Sequence, residues 1–474
     1  GLFLDDLPND GGPRMPVDYF FRSLAEARAE RAVAILLSGT GSDGSLGLRE
    51  VKAAGGLAIV QTPETAEYDG MPLNAIATGV IDLVLNIEAM ADAIFRYSRH
   101  PYVNDESAET LDEAAPDEFR AIINLLRAKT DYDFRSYKKG TLSRRIQRRM
   151  SLNHVGSAAG YLEILHNDPE EASRLFRDML IGVTRFFRDP ESWQVLREQA
   201  VAKIVADSNS AHDTVRVWVP GCATGEEAFT LAMLFSDEMS RQARRRTVQI
   251  FATDLDPESI DTARAGLYPA SAVADVSSDR LKEYFNVRDD RFAIKKELRD
   301  MTVFAVQNVI GDPPFSNLDM ISCRNAMIYL EPDVQKKMVE MFHFVLRDGG
   351  YLFLGSSESP GRTRNLFETV SSASVGNGTR PEKAAEPIRT CIRAGDRPGR
   401  GQILSWPAAR LSRHPEWRAH RQYRRYGAGR AAEQAARGPA EGGCVERAGG
   451  RAGAACQAQR PAGCRKDFGG ARIG

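Results

Sequence analysis

A buried strand that runs into a glycine loop and then into a helix most constrains how this chain can fold. Residues 217–230 read Val-Trp-Val-Pro-Gly-Cys-Ala-Thr-Gly-Glu-Glu-Ala-Phe-Thr. Small residues let the backbone approach a ligand, and the first turn of the helix leaves N–H donors free. Glu226 and Glu227 would repel a phosphate, whereas they would attract hydroxyls or a cationic sulfonium. The segment therefore predicts a loop for a nucleotide-like cofactor that has no phosphate beside the glutamates.

Two further predicted strands end in polar side chains. Residues 248–253 lead to Asp254, where an acid can bind a pair of ribose hydroxyls. Residues 318–322 lead to Cys323-Arg324-Asn325, and Tyr329 follows about one helical turn later. Since parallel α/β sheets bind ligands at the carboxyl ends of their strands, these side chains are candidates for the same site.

The order of predicted elements divides the 474 residues into several units. Strands and helices alternate over residues 33–95 and again over 194–375, which predicts two parallel sheets. Residues 116–193 show helical periodicity without a strand pattern. We therefore predict a partial α/β domain at 1–98, a linker at 99–115, an all-α domain at 116–193 and a second α/β domain at 194–375.

Residues 376–474 differ in composition from the rest of the chain. They contain 20 Lys and Arg against 8 Asp and Glu, a surplus of 12 positive charges. Since the whole chain has a formal net charge of −1, residues 1–375 carry about −13. A segment rich in Ala, Arg, Gly and Pro rarely buries enough apolar surface to fold. We predict a disordered extension or a shifted reading frame, with a basic nucleic-acid arm as the alternative. Because the chain begins at Gly1 without Met, we also expect a truncated reading.

A dense basic cluster lies on one predicted helix of the all-α domain. Its arginines are Arg144, Arg145, Arg148 and Arg149, and its apolar stripe is Leu142, Ile146 and Met150. At helical spacing the stripe packs inward, and the guanidinium groups are predicted to face solvent. In an acidic body this favours docking of an acidic partner, with a solvated basic face as the alternative. Nucleic acid is disfavoured because no stacking aromatics are interleaved.

The segment Thr184-Arg-Phe-Phe-Arg188-Asp joins the helical and α/β patterns. Its paired phenylalanines are predicted to pack at the joint between the two domains and to aim Arg188 into the cleft. A guanidinium there can bind a carboxylate in two-pronged fashion, with a surface ion pair as the alternative. The later Asp312-Pro-Pro-Phe is interpreted as a stiff turn.

In the first domain, the loop Ser38-Gly-Thr-Gly-Ser-Asp43-Gly follows a predicted strand. Asp43 is either the orienting carboxylate of a Ser-His-Asp set or a helix cap. No nucleophile-elbow sequence precedes it, and the first histidine is His100. A triad would therefore be incomplete within this sequence.

Four ordered motifs resemble those of the CheR chemotaxis methyltransferases over about residues 116–375. They are Thr184-Arg-Phe-Phe-Arg-Asp, Gly221-Cys-Ala-Thr-Gly-Glu-Glu, Ala252-Thr-Asp-Leu-Asp and Ser322-Cys-Arg-Asn-Ala-Met-Ile-Tyr. Residues 14–95, including the Asp43 loop, are similar to the C-terminal third of a CheB receptor methylesterase. Together the two parts resemble CheB/CheR fusion proteins.

The resemblance implies a Rossmann-like class I methyltransferase domain with an N-terminal all-α subdomain, preceded by a partial α/β methylesterase domain. It implies S-adenosylmethionine as cofactor, S-adenosylhomocysteine as product, and methyl transfer to glutamate side chains of chemoreceptors. The implied cofactor residues are Thr184, Arg188, Gly221, Glu227, Asp254, Asn308, Val309, Arg324 and Asn325. Arg188 and Tyr329 would lie nearest the transferred methyl group.

Two departures from the family pattern affect these expectations. The family often has Asn where this chain has Gly182, so the resemblance does not supply one polar contact to the cofactor. The methylesterase Ser and His are absent, so Asp43 is an orphan triad member and the esterase is predicted to be inactive.

The chemistry expected from the resemblance is simple. A glutamate with a pKa of about 4.3 is ionised at neutral pH and can attack the sulfonium methyl group without a general base. The expected partner is the helical bundle of a chemoreceptor, docked through Arg144, Arg145, Arg148 and Arg149. A cytoplasmic monomer is predicted, with no metal, no nucleic acid and no membrane insertion.

Two alternative functions remain open at this point. One is a signalling scaffold that docks to chemoreceptors without catalysis. The other is an NAD-dependent dehydrogenase, which is disfavoured because the glycine loop lacks GxGxxG and carries two glutamates.

Overall fold

The computed structural model describes residues 14–104, 109–130, 132–180, 182–207, 214–288, 291–360, 366–370 and 391–394. These ranges belong to one folded body that spans Gly1–Arg397. The predicted tail beyond 375 lies outside the described residues, except for 391–394. We refer below to an N-terminal unit (14–104), a helical unit (109–180) and a C-terminal unit (182–394).

The N-terminal unit is a small parallel sheet with helices. Its strands, in the order β1-β2-β3, are β1 (Val33–Leu36), β2 (Leu57–Gln61) and β3 (Leu83–Leu85). Its helices are α1 (Pro16–Arg28), α2 (Ser45–Ala53), α3 (Gly70–Ile76), α4 (Ile87–Ser98) and α5 (Pro101–Asn104). Every residue of the central strand β2 is buried, as a strand covered on both faces requires. The predicted alternation of strands and helices is confirmed.

The helical unit surrounds its own apolar core. Its helices are α6 (Leu111–Ala114), α7 (Pro116–Thr130), α8 (Lys139–Leu152), α9 (Ala158–Asn167) and α10 (Pro169–Leu180). The stripe Leu142, Ile146 and Met150 is buried in this core, as its spacing predicts. Leu111 is buried there too. The predicted linker at 99–115 therefore contains α5 and α6, and part of it belongs to the helical core.

The C-terminal unit contains a seven-stranded sheet and a separate three-stranded sheet, together with helices. The strands are β4 (Thr214–Pro220), β5 (Thr247–Asp254), β6 (Leu267–Pro269), β7 (Phe285–Arg288), β8 (Arg291–Ile294), β9 (Thr302–Val306), β10 (Leu318–Cys323), β11 (Leu346–Leu354), β12 (Phe367–Thr369) and β13 (Cys391–Ala394). The helices are α11 (Pro190–Leu196), α12 (Ala202–Ala206), α13 (Glu226–Arg241), α14 (Pro257–Ala265), α15 (Ser278–Tyr284), α16 (Lys296–Met301) and α17 (Pro332–Val345). A π-helical stretch, Arg197–Val201, joins α11 to α12.

The strand order of the large sheet is β12-β13-β11-β10-β4-β5-β9, and β6, β8 and β7 form a separate small sheet. Strands β11, β10, β4, β5 and β9 are parallel, whereas β13 pairs antiparallel with both β11 and β12. This topology confirms the predicted Rossmann-like class I fold. Strand β13 lies beyond position 375, so the sheet extends past the predicted boundary of the domain.

The basic cluster on α8 is not the solvent-facing surface that its spacing predicts. Arg145, Arg148 and Arg149 are 7%, 1% and 7% exposed, and only Arg144 of the four is exposed. The prediction that these guanidinium groups face solvent is therefore wrong for three of them. The reason is that the N-terminal unit and α10 pack over this face of α8.

Buried ion pairs join the N-terminal unit to the helical unit. Arg148 pairs with Asp82 of the N-terminal unit and, at 3.0 Å, with Asp178 of α10, and it also donates to the Gly56 carbonyl. Lys52 of α2 lies 3.3 Å from Asp82 and 3.0 Å from Asp178. Two cations thus share two carboxylates out of water, where each charge depends on the others. The placement of α2 follows from this network.

Replacing Asp82 by alanine is expected to lower the free energy of unfolding by about 3–5 kcal/mol, because Arg148 and Lys52 would stay buried with half of their countercharge. The measurement is urea denaturation of the full chain. Asp92→Ala is the control, since Asp92 is exposed on α4 of the same unit. Equal losses in the two variants would contradict a structural role for the network.

Candidate active site

A cavity of about 340 Å³ lies at the carboxyl ends of β4, β5, β9 and β10. Strand β4 pairs with β5 on one side and with β10 on the other, so the chain order reverses at β4. Such a switch point leaves a crevice beyond the strand ends, where α/β sheets bind ligands. Of the predicted cofactor residues, the cavity is lined by Gly221, Asp254, Asn308, Val309 and Asn325.

The glycine loop between β4 and α13 is held against the end of β5. The backbone N–H groups of Gly221 and Cys222 donate to the Thr253 carbonyl at 2.7 and 3.0 Å. Gly221 and Gly225 have φ of 73° and 96°, in the left-handed region that favours glycine. A Cβ on Gly225 would also lie only 2.9 Å from the Cβ of Ala263. The loop conformation therefore depends on glycine at these positions.

Asp254 ends β5 inside this cavity and also supports the loop. Its carboxylate accepts from the backbone N–H of Ala223 at 2.8 Å and of Asp256 at 3.0 Å. Burial raises its pKa, although these backbone bonds oppose the shift. Each carboxylate oxygen can accept a second hydrogen bond. Asp254 can therefore bind hydroxyl groups while it holds the loop.

The two glutamates at the start of α13 point to different surroundings. Glu226 accepts from the hydroxyl of Thr224 at 2.7 Å and is 3% exposed. Glu227 accepts from the hydroxyl of Ser322 at 2.6 Å and lines a second cavity. Burial raises the pKa of Glu227 to about 7, against the opposing charge of Arg324. Glu227 is thus the carboxylate of this pair that faces a ligand space.

The second cavity, of about 250 Å³, adjoins the first. From the C-terminal unit, its lining includes Thr184, Arg185, Arg188, Glu227 and Arg324. Five residues line both cavities, and they are Gly182, Gly221, Ala223, Asn325 and Tyr329. The predicted cofactor residues are therefore distributed over two connected spaces, and Tyr329 lies at their junction.

Arg188 is aimed by a tightly held backbone. Its guanidinium donates to the Val183 carbonyl at 2.7 Å, and its own carbonyl accepts from the indole N–H of Trp193 at 2.7 Å. The preceding Phe187 has φ of 49° and donates its N–H to Thr230 Oγ1. Phe186 and Phe187 pack in the core of the C-terminal unit. The prediction that they pack at the joint with the helical unit is therefore wrong.

Arg324 positions the segment around Arg188. Its guanidinium donates to the Arg188 carbonyl at 2.9 Å and to the Asp189 carboxylate at 2.7 Å. It also lies 4.9 Å from the ring centroids of Trp193 and Phe353. Arg324 lines the second cavity rather than the first, so its contacts serve to place Arg188.

Two features of the site are not indicated by any of the sequence motifs described above. Glu358 accepts from the backbone N–H groups of Asn325, Met327 and Gly355, at 2.8 to 2.9 Å, and so fixes the turn after β10. Tyr132 and Tyr137 of the helical unit line the first cavity, with 3.2 Å between their hydroxyl oxygens. In both cases the partners come together only in the folded chain.

Asn308 and Val309 lie in the loop after β9, at the edge of the first cavity. Asp312 accepts from the backbone N–H of Asn308 at 2.8 Å, and Asn308 Oδ1 accepts from that of Ile310 at 3.0 Å. These contacts close a turn over residues 308–312, and the interpretation of Asp312-Pro-Pro-Phe as a stiff turn stays a prediction. At Gly182, a Cβ would meet nothing nearer than 3.8 Å, so the space for a larger side chain is open.

Asp43 is bound as a helix cap. Its two carboxylate oxygens accept from the backbone N–H groups of Val17 at 3.1 Å and Asp18 at 2.9 Å, in the first turn of α1. These contacts support a capping role, but on α1 and not on α2, the helix that the Asp43 loop opens and that has no side-chain cap. Its assignment as an orphan triad member stays a prediction.

Comparison with known families agrees with this arrangement. Residues 182–375 match the family described as CheR methyltransferase, SAM binding domain, and residues 117–180 match the CheR all-alpha domain. A Pseudomonas putida protein named as methyltransferase Cher3 is 31% identical over 250 residues, which are 51% of this chain and 88% of that protein. The chain belongs to the CheR methyltransferase family. The C-terminal unit, which contributes most of the lining of both cavities, corresponds to its SAM-binding domain.

The N-terminal unit has a different origin within the same chain. Residues 4–94 match the CheB methylesterase family, so this CheR-family chain is fused to CheB-like sequence. A 104.1 kDa protein of Rhodobacter capsulatus is 43% identical over 378 residues, which are 75% of this chain and 40% of that protein. The chain thus spans less than half the length of that relative.

A third relative is the chemotaxis protein methyltransferase of Borreliella burgdorferi. It is 32% identical over 187 residues, which are 39% of this chain and 66% of that protein. Among the described residues, none of the helices is both long and apolar enough to cross a membrane.

Replacing Glu358 by glutamine is expected to lower the free energy of unfolding by about 1–3 kcal/mol, because an amide N–H₂ would face backbone donors that need an acceptor. The measurement is urea denaturation, with Glu340→Gln as control, since Glu340 is exposed on α17. If Glu358→Gln is as stable as the control, the turn after β10 does not depend on this carboxylate.

Proposed function

We propose that the chain is a protein-glutamate methyltransferase that transfers a methyl group from S-adenosylmethionine to chemoreceptor glutamates. The observation that carries this proposal is the junction at Tyr329. There, the first cavity, which is lined by Asp254, adjoins the second, which is lined by Arg188. Asp254 is a carboxylate that can bind the hydroxyl groups of a sugar. The nucleoside part of a methyl donor would fit the first cavity, and its cationic part would reach Glu227 in the second, where Arg188 can bind an anionic acceptor.

The residues of the first cavity suit the cofactor that the family uses. Asp254 would accept hydrogen bonds from the ribose hydroxyls, since each of its oxygens can accept a second bond beside the one from the backbone. Asn308, Val309, Gly221 and Asn325 would complete the wall. Glu227, which lines the second cavity, would lie against the cationic part where the cofactor enters that space, because a desolvated carboxylate is stabilised by a nearby positive charge. When bound, S-adenosylmethionine supplies the electrophilic methyl group.

The residues of the second cavity suit a carboxylate acceptor. Arg188 and Tyr329 would orient the acceptor oxygen, and Thr184 lines the same wall. An ionised glutamate needs no general base, so the protein must mainly align it and exclude water. Arg188 should not bind the oxygen too strongly, since only interactions that favour the transition state increase the rate.

The receptor partner is proposed from relatives whose names describe chemotaxis methyltransferases. Docking through the whole basic cluster of α8 is not supported, because three of its four arginines are buried. Arg144 is the one that stays accessible to a partner. The alternative of a non-catalytic scaffold remains an outcome of the test below.

The full chain is expected to transfer labelled methyl from S-adenosylmethionine to glutamates of a purified chemoreceptor cytoplasmic domain. Arg188→Ala is expected to lower kcat/KM by about 100-fold or more, because the acceptor carboxylate loses its charged orienting group. Arg299→Ala is the control, since Arg299 is exposed on α16.

Two outcomes would count against the proposal. The first is binding of S-adenosylmethionine without any transfer, which would favour the scaffold. The second is equal activity of Arg188→Ala and the wild-type chain, which would remove Arg188 from the acceptor site.

The affinity for S-adenosylmethionine is expected to rise about tenfold from pH 6 to pH 8. The pKa of Glu227 is raised to about 7 by burial, so its charge, which attracts the cationic cofactor, is largely lost at pH 6 and present at pH 8. Isothermal titration calorimetry at the two pH values measures the difference.

Glu227→Gln should bind more weakly at pH 8 and lose most of this pH dependence. Glu258→Gln is the control, because Glu258 is an exposed carboxylate that lines the first cavity and not the one that Glu227 lines. An unchanged pH dependence in Glu227→Gln would show that another group titrates.

A further inference from the structure

The second cavity is closed on one side by the N-terminal unit. The residues that this unit contributes to its wall are Ala25, Glu26, Glu50, Ala53 and Ala54, from α1, α2 and the residue after α2. The opposite wall includes Thr184, Arg188 and Tyr329. The CheB-like sequence thus forms part of the space that we assign to the acceptor.

Helix α2 is fixed in this place from several directions. Ser42, just before it, accepts at Oγ from the backbone N–H of Ser271 at 3.3 Å. Leu46 packs against the core of the C-terminal unit. Near its other end, Lys52 pairs with Asp82 and Asp178 in the buried network. A side chain on the cavity face of α2 is therefore held there by the fold.

Glu50 is the half-buried carboxylate on that face. Its Oε1 lies 3.8 Å from Nε of Arg185, and that nitrogen is buried without a hydrogen-bond partner among the described residues. The side chain of Glu50 is 19% exposed. The pKa of Glu50 is raised by burial, and the positive charges of Arg185, Arg22 and Arg188 oppose the shift, whereas Glu26 adds to it.

Arg188 is electrostatically shared between two carboxylates. Arg188 lines the same cavity as Glu50 and Glu227, and its charge opposes the rise in pKa that burial causes at both carboxylates. An acceptor glutamate that enters this cavity brings a third carboxylate to the same guanidinium. Like charges at close range repel one another, and an internal group is always present at high effective concentration.

We propose that Glu50 is an internal competitor of the acceptor carboxylate and thereby sets the concentration of acceptor that the enzyme requires. The inference rests on the proposed methyltransferase function. In the full chain, Glu50 takes up part of the positive potential of Arg185 and Arg188, so an acceptor must share or displace it. The CheB-like unit thus contributes a residue that determines acceptor affinity.

The test compares the full-length wild-type chain with Glu50→Gln, using a purified chemoreceptor cytoplasmic domain as the acceptor. Glutamine keeps the length and helix propensity of the side chain but removes its charge. The KM for the acceptor is expected to fall about three- to tenfold, as for removal of one nearby like charge. The kcat and the KM for S-adenosylmethionine should change by less than twofold, because neither Arg188 nor the cofactor residues are altered.

The matched control is Glu64→Gln, which removes an exposed glutamate of the same unit that is outside the lining of both cavities described here. Its kinetic constants should equal those of the wild type. An unchanged or increased KM for the acceptor in Glu50→Gln would overturn the inference, since an increase would mean that Glu50 helps Arg185 to bind the acceptor.

Failure of the proposed function can be told apart by a binding measurement without turnover. Fluorescence anisotropy of the labelled receptor domain gives its Kd for each variant in the presence of S-adenosylhomocysteine. Tighter binding by Glu50→Gln supports the competition even if no variant transfers methyl groups. Equal binding, or no binding by either protein, would overturn it.

Discussion

The parallel pairing of β4 with β5 and β10 is the constraint on which the site depends. Trp218 of β4 lies opposite Phe251 of β5 and Ile321 of β10, so the three strands end at the same edge. The residues that directly follow these strands therefore lie close together. Hydrogen bonds from the glycine loop to the Thr253 carbonyl bind the end of β4 to that of β5. Both cavities are built outward from this edge.

This part of the structure can be predicted from sequence because each signal is local. A glycine loop follows its own strand, and Asp254 and Asn325 follow theirs. The rule that places them together needs only that the strands are parallel and adjacent. The apolar stripe of α8 is predictable for the same reason, since Ile146 is buried wherever the helix packs.

The arginine face of α8 is buried, although its spacing predicts exposure, and it shows what local sequence signals do not predict. Arginines four residues apart look the same whether water or a carboxylate lies beside them. Arg148 is separated from Asp82 by 66 residues and from Asp178 by 30, and neither acid has a spacing that relates it to α8. Such a pairing needs the tertiary structure, because buried arginines are tolerated only when countercharges are brought to them.

The same limit applies to the carboxylates that shape the site. Glu358 fixes the turn at Asn325 from 33 residues away, and Glu50 reaches the second cavity from another unit. The sequence identifies Arg188 as a group that can bind a carboxylate, but it does not show which carboxylates of the chain already surround it. Only the fold shows that Arg188 lines one cavity with Glu50 as well as with Glu227.

The distribution of charge around Tyr329 follows from how each buried carboxylate is compensated. Glu226 is compensated by the charge of Arg49 and by the Thr224 hydroxyl, and Asp254 is compensated by backbone N–H groups. Glu227 has the Ser322 hydroxyl and the more distant charge of Arg324, and its pKa is still raised to about 7. It is therefore the carboxylate that gains most from a cationic ligand. Since Arg188 lines the same cavity as Glu227, a cation beside Glu227 and an anion beside Arg188 would be favoured within one space, which is the arrangement that methyl transfer to a carboxylate requires.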